Sequence, residues 1–279
     1  MMEGRVCLVT GATSGIGLAA ARALAAQGAR VLLGARSRER GEAAIAAIKA
    51  ATPGAAVDLF VADLAQQREV RRLAADVRAR HRELDVLVNN AGAVLGQRQR
   101  TEDGLEHTLA LNHLAPFLLT HLLLDPLRAA APARVVTVAS EAHRYGPGRF
   151  DFRGERPHNP WWAYADSKLG NILFTRALAK RLDPRELTAN CMHPGVVRTN
   201  FGMSGGLMVG GAMRLARPFL RSPERGADTA VWLASAPEVD GQTGGYYKDR
   251  RLRQPSPRAR DDALAEQVWQ QSAKLTGAA

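Results

Sequence analysis

The sequence predicts an α/β fold, a doubly wound parallel sheet with helices on both faces, formed as one domain over all 279 residues. Three observations carry this. Short Val- and Leu-rich runs alternate with helical patterns of three-and-four spacing. The runs are apolar throughout, as in strands covered by helices on both sides. The first run leads through a glycine-rich turn directly into a helix.

In chain order, strands are expected at Arg5–Thr10, Arg30–Leu33, Val57–Val61, Leu84–Asn89, Arg134–Ala139 and Leu187–Met192. Helices are expected at Ile16–Gln27, Glu42–Ala50, Val70–Arg80, Gly104–Leu124, Tyr164–Leu182 and Gly226–Ala234. Right-handed crossovers between parallel strands follow, and ligands of such sheets bind beyond the carboxyl ends of the strands. Residues 201–220 mix five glycines with Met203, Met208 and Met213, which reads as a lid over an apolar substrate. A last helix over 261–275 starts at Asp261 as N-cap and carries Leu264, Val268, Ser272 and Leu275 on one stripe.

Composition excludes several classes. No window offers eighteen uninterrupted apolar residues, so no transmembrane segment is expected, and the early first strand leaves no room for an export signal. Cys7 and Cys191 lie in strand-like runs and read as small buried side chains, which fits a cytoplasmic protein. The 38 basic and 27 acidic residues give a formal charge of +11. The arginines are scattered, and the densest run, Lys248–Arg260, reads as solvated surface. No specific nucleic-acid partner and no metal are expected.

The turn after the first strand is Thr10-Gly11-Ala12-Thr13-Ser14-Gly15-Ile16-Gly17. Such glycines let backbone approach a pyrophosphate, and the helix N-terminus offers free N–H groups and the positive end of its dipole. This is a Rossmann-type cradle with altered glycine spacing. At the end of the second strand, Leu33-Gly34-Ala35-Arg36 has arginine where many nicotinamide enzymes have an acid. A guanidinium there clamps a ribose 2′-phosphate, so NADP(H) is the expected cofactor. Asp63 and Leu64 follow the third strand, and Asn90, Ala91 and Gly92 follow the fourth. They can receive the adenosine, or they can be ordinary turn residues.

Tyr164 and Lys168 stand four apart on a predicted helix, so the ammonium can stabilise the phenolate and lower the phenol's pKa. Ser140 closes the fifth strand at the same sheet edge, where it can hold a substrate oxygen or cap the loop. Pro116 has no N–H for the carbonyl of Asn112 four residues earlier, so the helix should kink and free that carbonyl for a water that relays protons to Lys168.

As a set, TGATSGIG at 10–17, NNAG at 89–92, Asn112, Ser140, YADSK at 164–168 and HPGVVRT at 193–199 resemble the short-chain dehydrogenase/reductase family. The resemblance implies that Asn112, Ser140, Tyr164 and Lys168 are catalytic. It also implies that Lys168 bonds the nicotinamide ribose, and that Pro194, Gly195, Val197 and Thr199 line the nicotinamide. The phrases LNHLAPFLLT, AYADSKLGNILFTRALAKRL and HPGVVRTNF are similar to the retinol-dehydrogenase-like branch, which implies a small lipophilic carbonyl or alcohol substrate. A homodimer or homotetramer through the helices of Asn112 and Tyr164 is implied as well. Two departures stand out: Pro116 replaces a histidine common in that branch, and Asp166 puts an acid between Tyr164 and Lys168. An inward Asp166 would raise the tyrosine pKa, so it is expected to face solvent. The rival reading is a non-catalytic NADP(H)-binding redox sensor on the same fold.

Overall fold

The computed structural model describes residues 2–197 and 220–278. Eight strands form one sheet: β1 Val6–Thr10, β2 Arg30–Ala35, β3 Val57–Val61, β4 Val86–Asn89, β5 Ala133–Val138, β6 Leu187–Met192, β7 Tyr246–Lys248 and β8 Arg251–Arg253. Their order is β3-β2-β1-β4-β5-β6-β7-β8, parallel from β3 to β7. The order reverses between β1 and β4, which opens a ligand crevice at their carboxyl ends.

The apolar runs follow from the two-residue period of a strand. Leu8, Leu32 and Leu87 belong to the core on one face, while Cys7, Val9, Val31 and Leu33 belong to the core on the other. Each strand therefore needs apolar residues at consecutive positions. Both cysteines are fully buried and unpaired, and burial pushes both thiols' pKa values upward.

The six expected strands are present, and β7 and β8 are additions. β8 pairs antiparallel with β7 through a tight turn at Asp249 and Arg250, whose φ values are 53° and 57°. Both strands are three residues long, too short for a periodic signal. The run Lys248–Arg260 is thus only partly a solvated surface: Arg251 to Arg253 are exposed, but Ser256 and Ala259 are buried. The helix expected at Gly104–Leu124 is divided into His107–Leu109, a π-helical turn at Ala110–Leu114 and the helix Ala115–Leu122. Pro116 falls in the first turn of that last segment, where a missing N–H costs least, so the break takes the form of a π-bulge.

The C-terminal helix, Asp262–Thr276, is capped by Asp261 Oδ1, which accepts from Leu264 N at 3.0 Å. Its Trp269 stacks on Phe174 and meets Phe117 edge-on, with ring centroids 6.0 and 5.0 Å apart. The helix therefore lies across Ala115–Leu122 and Pro160–Ala179 and buries their shared face. Of the lid expected at 201–220, residues 201–219 lie outside the described residues.

Gly17 shows how tightly the first turn is built. A Cβ there would stand 2.4 Å from both the Gly11 carbonyl oxygen and Asn90 Nδ2. Alanine in place of a helical glycine ordinarily gains about 1 kcal/mol. Gly17→Ala is expected instead to cost about 1–3 kcal/mol through overpacking, read as a lower Tm; an unchanged or higher Tm would contradict this close approach.

Candidate active site

At the carboxyl end of β1, Gly11 and Gly15 adopt φ of 65° and 54°, which favour glycine. Ser14 occupies the N-cap of the helix Gly15–Ala26, yet its side chain makes no capping bond and the first turn has no acid. The helix's first N–H groups stay available to an anion, with Thr13, Ser14, Gly15 and Ile16 all at least partly exposed. Asn90 braces this cradle. Its Nδ2 donates to the carbonyls of Thr10 and Gly11 at 2.8 and 3.3 Å, and Thr10 Oγ1 accepts from the N–H groups of Asn90 and Ala91 at 3.0 and 3.1 Å. The residues present thus fit a bound pyrophosphate.

Arg36 is exposed just past β2, whereas Arg38 lies 3.7 Å from Glu42. Ser37 Oγ accepts from Arg40 N and caps the next helix, which fixes the backbone beside Arg36. Asp63 Oδ1 accepts from Ala65 N at 3.1 Å, a turn role, and Leu64 is buried.

The proton-handling candidates meet at the next strand end. Ser140 Oγ accepts from Ala142 N at 3.2 Å, so it caps a turn, and it also hydrogen-bonds the Tyr164 phenol. Tyr164 and Lys168 are buried on the helix Pro160–Ala179. Lys168 Nζ lies 5.7 Å from the Tyr164 ring centroid but donates to the Val138 carbonyl at 2.9 Å. Asn112 joins them through its side chain: Nδ2 donates to the Ala93 carbonyl and to Ser167 Oγ at 2.9 and 3.0 Å, and Oδ1 accepts from Ala93 N at 2.8 Å. Gly92 sits between the two helices, where a Cβ would be 3.1 Å from Asn112 Oδ1 and 3.6 Å from Lys168 Nζ. Residues 92, 112, 140, 164 and 168, distant in sequence, therefore share one site.

Two expectations are corrected here. Burial pushes the Tyr164 phenol up to about 12, with the Ser140 bond opposing. The Lys168 ammonium donates to the Val138 carbonyl, and burial brings its pKa down to about 8. Asp166 does not face solvent. It is buried, and its carboxylate accepts from the N–H groups of Gly148, Arg149 and Phe150 at 2.7, 3.1 and 3.3 Å. Burial raises its pKa and those three bonds lower it. The acid is spent on holding a loop rather than on Tyr164.

Other features escaped the sequence reading. Pro160 opens the Tyr164 helix with Asn159 Oδ1 accepting from Trp162 N at 3.1 Å, a signal legible as Asn followed by Pro. Trp161 thus stands in the first helical turn, its ring 5.8 Å from that of Tyr164. His143 Nε2 accepts from Ser256 N at 3.0 Å, so its proton is on Nδ1 and donates to the Ser140 carbonyl at 2.7 Å. No local pattern announces that bond, because its partners are 113 residues apart. Beyond β6, Pro194 and Gly195 are half-buried and Val197 is buried; Thr199 lies outside the described residues.

The short chain dehydrogenase family model matches residues 5–206. The chain is 42% identical over 275 residues to retinol dehydrogenase 12 of Bos taurus, covering 98% of this chain and 87% of that protein. It is 44% identical over 280 residues to the "Putative daunorubicin C-13 ketoreductase DnrU" of Streptomyces sp. (strain C5), covering 99% and 94%. Among solved structures, the Pseudomonas aeruginosa RhlG/NADP active-site complex superposes with a TM-score of 0.71 at 29% identity, covering 88% of this chain and 94% of that one.

Proposed function

The chain belongs to the short chain dehydrogenase family, in its retinol-dehydrogenase-like branch, and from this we propose that it transfers a hydride between NADP(H) and a lipophilic carbonyl or alcohol, with Tyr164 as general acid and base. The observation that carries the reading is the meeting of Ser140, Tyr164 and Lys168 beside an uncapped helix N-terminus.

In this reading Gly11, Thr13, Ser14, Gly15, Ile16 and Gly17 hold the pyrophosphate. Asp63, Leu64, Asn90, Ala91 and Gly92 line the adenosine side, and Pro194, Gly195, Val197 and Thr199 the nicotinamide side. Ser140 Oγ and Tyr164 Oη together hold the substrate oxygen. The protonated phenol, favoured by burial, donates its proton from Oη in the reductive direction. Lys168 Nζ helps position the cofactor ribose and replenishes the Tyr164 proton, while the carbonyl of Asn112, to which Pro116 brings no N–H, holds a water leading to solvent. Exposed Tyr145, Trp161, Trp162 and Val196 support an apolar substrate, as do the substrates in the names of the two curated relatives. A cofactor with 2′-phosphate favours reduction.

Arg36 supplies the test of cofactor choice. Arg36→Asp is expected to weaken NADPH binding by about 10- to 100-fold, the loss of charge-assisted bonds to a phosphate. NADH binding, measured by the same fluorescence titration, should change less than about threefold. Equal losses for both cofactors would remove NADP specificity from the account.

A further inference from the structure

Two buried histidines stand beside Ser140 and take no part in the chemistry above: His143 and His193 are 1% and 6% exposed. Both hold the same peptide group. The Ser140 carbonyl accepts from His143 Nδ1 at 2.7 Å and from the His143 backbone N–H at 3.1 Å. The N–H at the other end of that peptide, on Glu141, donates to His193 Nδ1 at 3.3 Å.

Backbone N–H groups can only donate, so they decide both tautomers. Ser256 N–H donates to His143 Nε2 at 3.0 Å, which leaves the single proton of a neutral ring on Nδ1, facing the Ser140 carbonyl. Glu141 N–H donates to His193 Nδ1, which leaves that ring's proton on Nε2. Burial lowers the pKa of both rings and so favours the neutral forms that these bonds require. The surroundings fix the rings in turn. Tyr246 on β7 meets the His143 ring edge-on with centroids 5.3 Å apart, and its hydroxyl donates to Glu141 Oε1 at 2.7 Å. His193 N–H donates to the Tyr247 carbonyl at 2.9 Å. The tilt of the Ser140–Glu141 peptide sets where the next N–H, on Ala142, stands, and Ser140 Oγ accepts from that N–H at 3.2 Å. With one lone pair so engaged, the hydroxyl that also bonds the Tyr164 phenol is oriented.

We propose that His143 and His193 are positioning residues, two imidazoles of opposite tautomer that grip the Ser140–Glu141 peptide by its C=O and its N–H and so hold the Ser140 hydroxyl in place. Through Ser256 and β7, the segment after the last parallel strand thereby belongs to the active-site scaffold, not merely to the core. This inference rests on the role of Ser140 proposed above.

Asparagine and glutamine separate the grip from mere bulk. Asparagine carries an amide atom where Nδ1 stands, so His143→Asn can still donate to the Ser140 carbonyl and His193→Asn can still accept from Glu141 N–H. Glutamine carries its amide one carbon further out, near Nε2, and does neither. With NADPH and a ketone that the unaltered protein reduces, each asparagine variant should keep kcat within about threefold, and each glutamine variant should lose about tenfold, the worth of one buried hydrogen bond. NADPH affinity should stay within about threefold in all four. Equal kcat values within either pair, or the opposite order, would overturn the proposal. Nitrogen-15 NMR reads both tautomers without turnover: the proton is expected on Nδ1 of His143 and on Nε2 of His193. A spectrum with either ring in the reverse tautomer overturns the proposal even if no variant folds. Ser140→Ala, assayed in parallel, distinguishes the two failures. Retained turnover there sinks the role of Ser140 and this inference with it, whereas a slow Ser140→Ala beside indifferent histidine variants sinks this inference alone.

Discussion

Replacing Tyr164 with phenylalanine is expected to lower kcat by about 10²- to 10⁴-fold, the usual worth of a positioned acid, with NADPH affinity unchanged within about threefold. The substitution removes one hydroxyl from a buried ring. That ring packs with Ala142 and Ala165 and lies near Trp161, and phenylalanine preserves all of those contacts. What is lost is the hydrogen bond to Ser140 and, in the proposed mechanism, the proton for the substrate oxygen. Because burial holds the phenol's pKa up to about 12, the proton is in place at neutral pH. Loss of the phenol's own proton should therefore limit reduction only as pH rises through the phenol's pKa, above the loss of the Lys168 charge near pH 8. Steady-state kinetics together with a cofactor titration check this, and a phenylalanine variant with ordinary kcat would assign the proton to another group.

Lys168→Met should separate activity from stability more sharply than any other change. Lys168 is 3% exposed, and among the described residues no charged partner offsets its burial, which brings its pKa from 10.5 to about 8. That gap corresponds to about 3 kcal/mol of unfavourable charge burial. For a group whose folded pKa is lowered, the penalty is fully present below the folded value and disappears as pH rises past the unfolded value. Methionine fills similar volume without the charge, while Asn171 continues to serve the Val138 carbonyl. The variant is expected to gain about 1–3 kcal/mol at pH 7, read as a higher midpoint in denaturant, and to lose that advantage above pH 10.5. Turnover should fall by about 10²-fold or more, with weaker NADPH binding. A variant both less stable and still active would contradict the assignment of Lys168 as a destabilising functional cation.

Much of this was legible because strongly patterned features report locally. Consecutive apolar positions such as Cys7 to Val9 announce a strand buried on two faces, and the turn Gly11 to Gly17 announces a close approach of backbone, which the 2.4 Å position of a Gly17 Cβ bears out. The strand β8 was not legible: three exposed residues, Arg251 to Arg253, gain their conformation from pairing with buried β7 and from the turn at Asp249 and Arg250. Asp166 was misjudged for a related reason. Its position between Tyr164 and Lys168 says where it starts on the helix, but the loop of Gly148, Arg149 and Phe150 that claims its carboxylate is tertiary. The same holds for Lys168, whose partner is a strand carbonyl 30 residues away and not the tyrosine one turn before it. The meeting of residues 92, 112, 140, 164 and 168 was readable from strand ends and helix spacing; the hydrogen bonds that orient them were not.

The central claim is that this protein carries hydride between NADP(H) and a lipophilic carbonyl. Its most direct test is mass spectrometry of the alcohol formed from a panel of lipophilic aldehydes and ketones with NADPH deuterated at nicotinamide C4. The account predicts one deuterium on the carbinol carbon of at least one product, delivered from a single face of the nicotinamide, and a rate of its formation at least about 10²-fold lower with Tyr164→Phe. Tight NADPH binding with no deuterium in any product across the panel would contradict it and leave the protein as a binder of the cofactor.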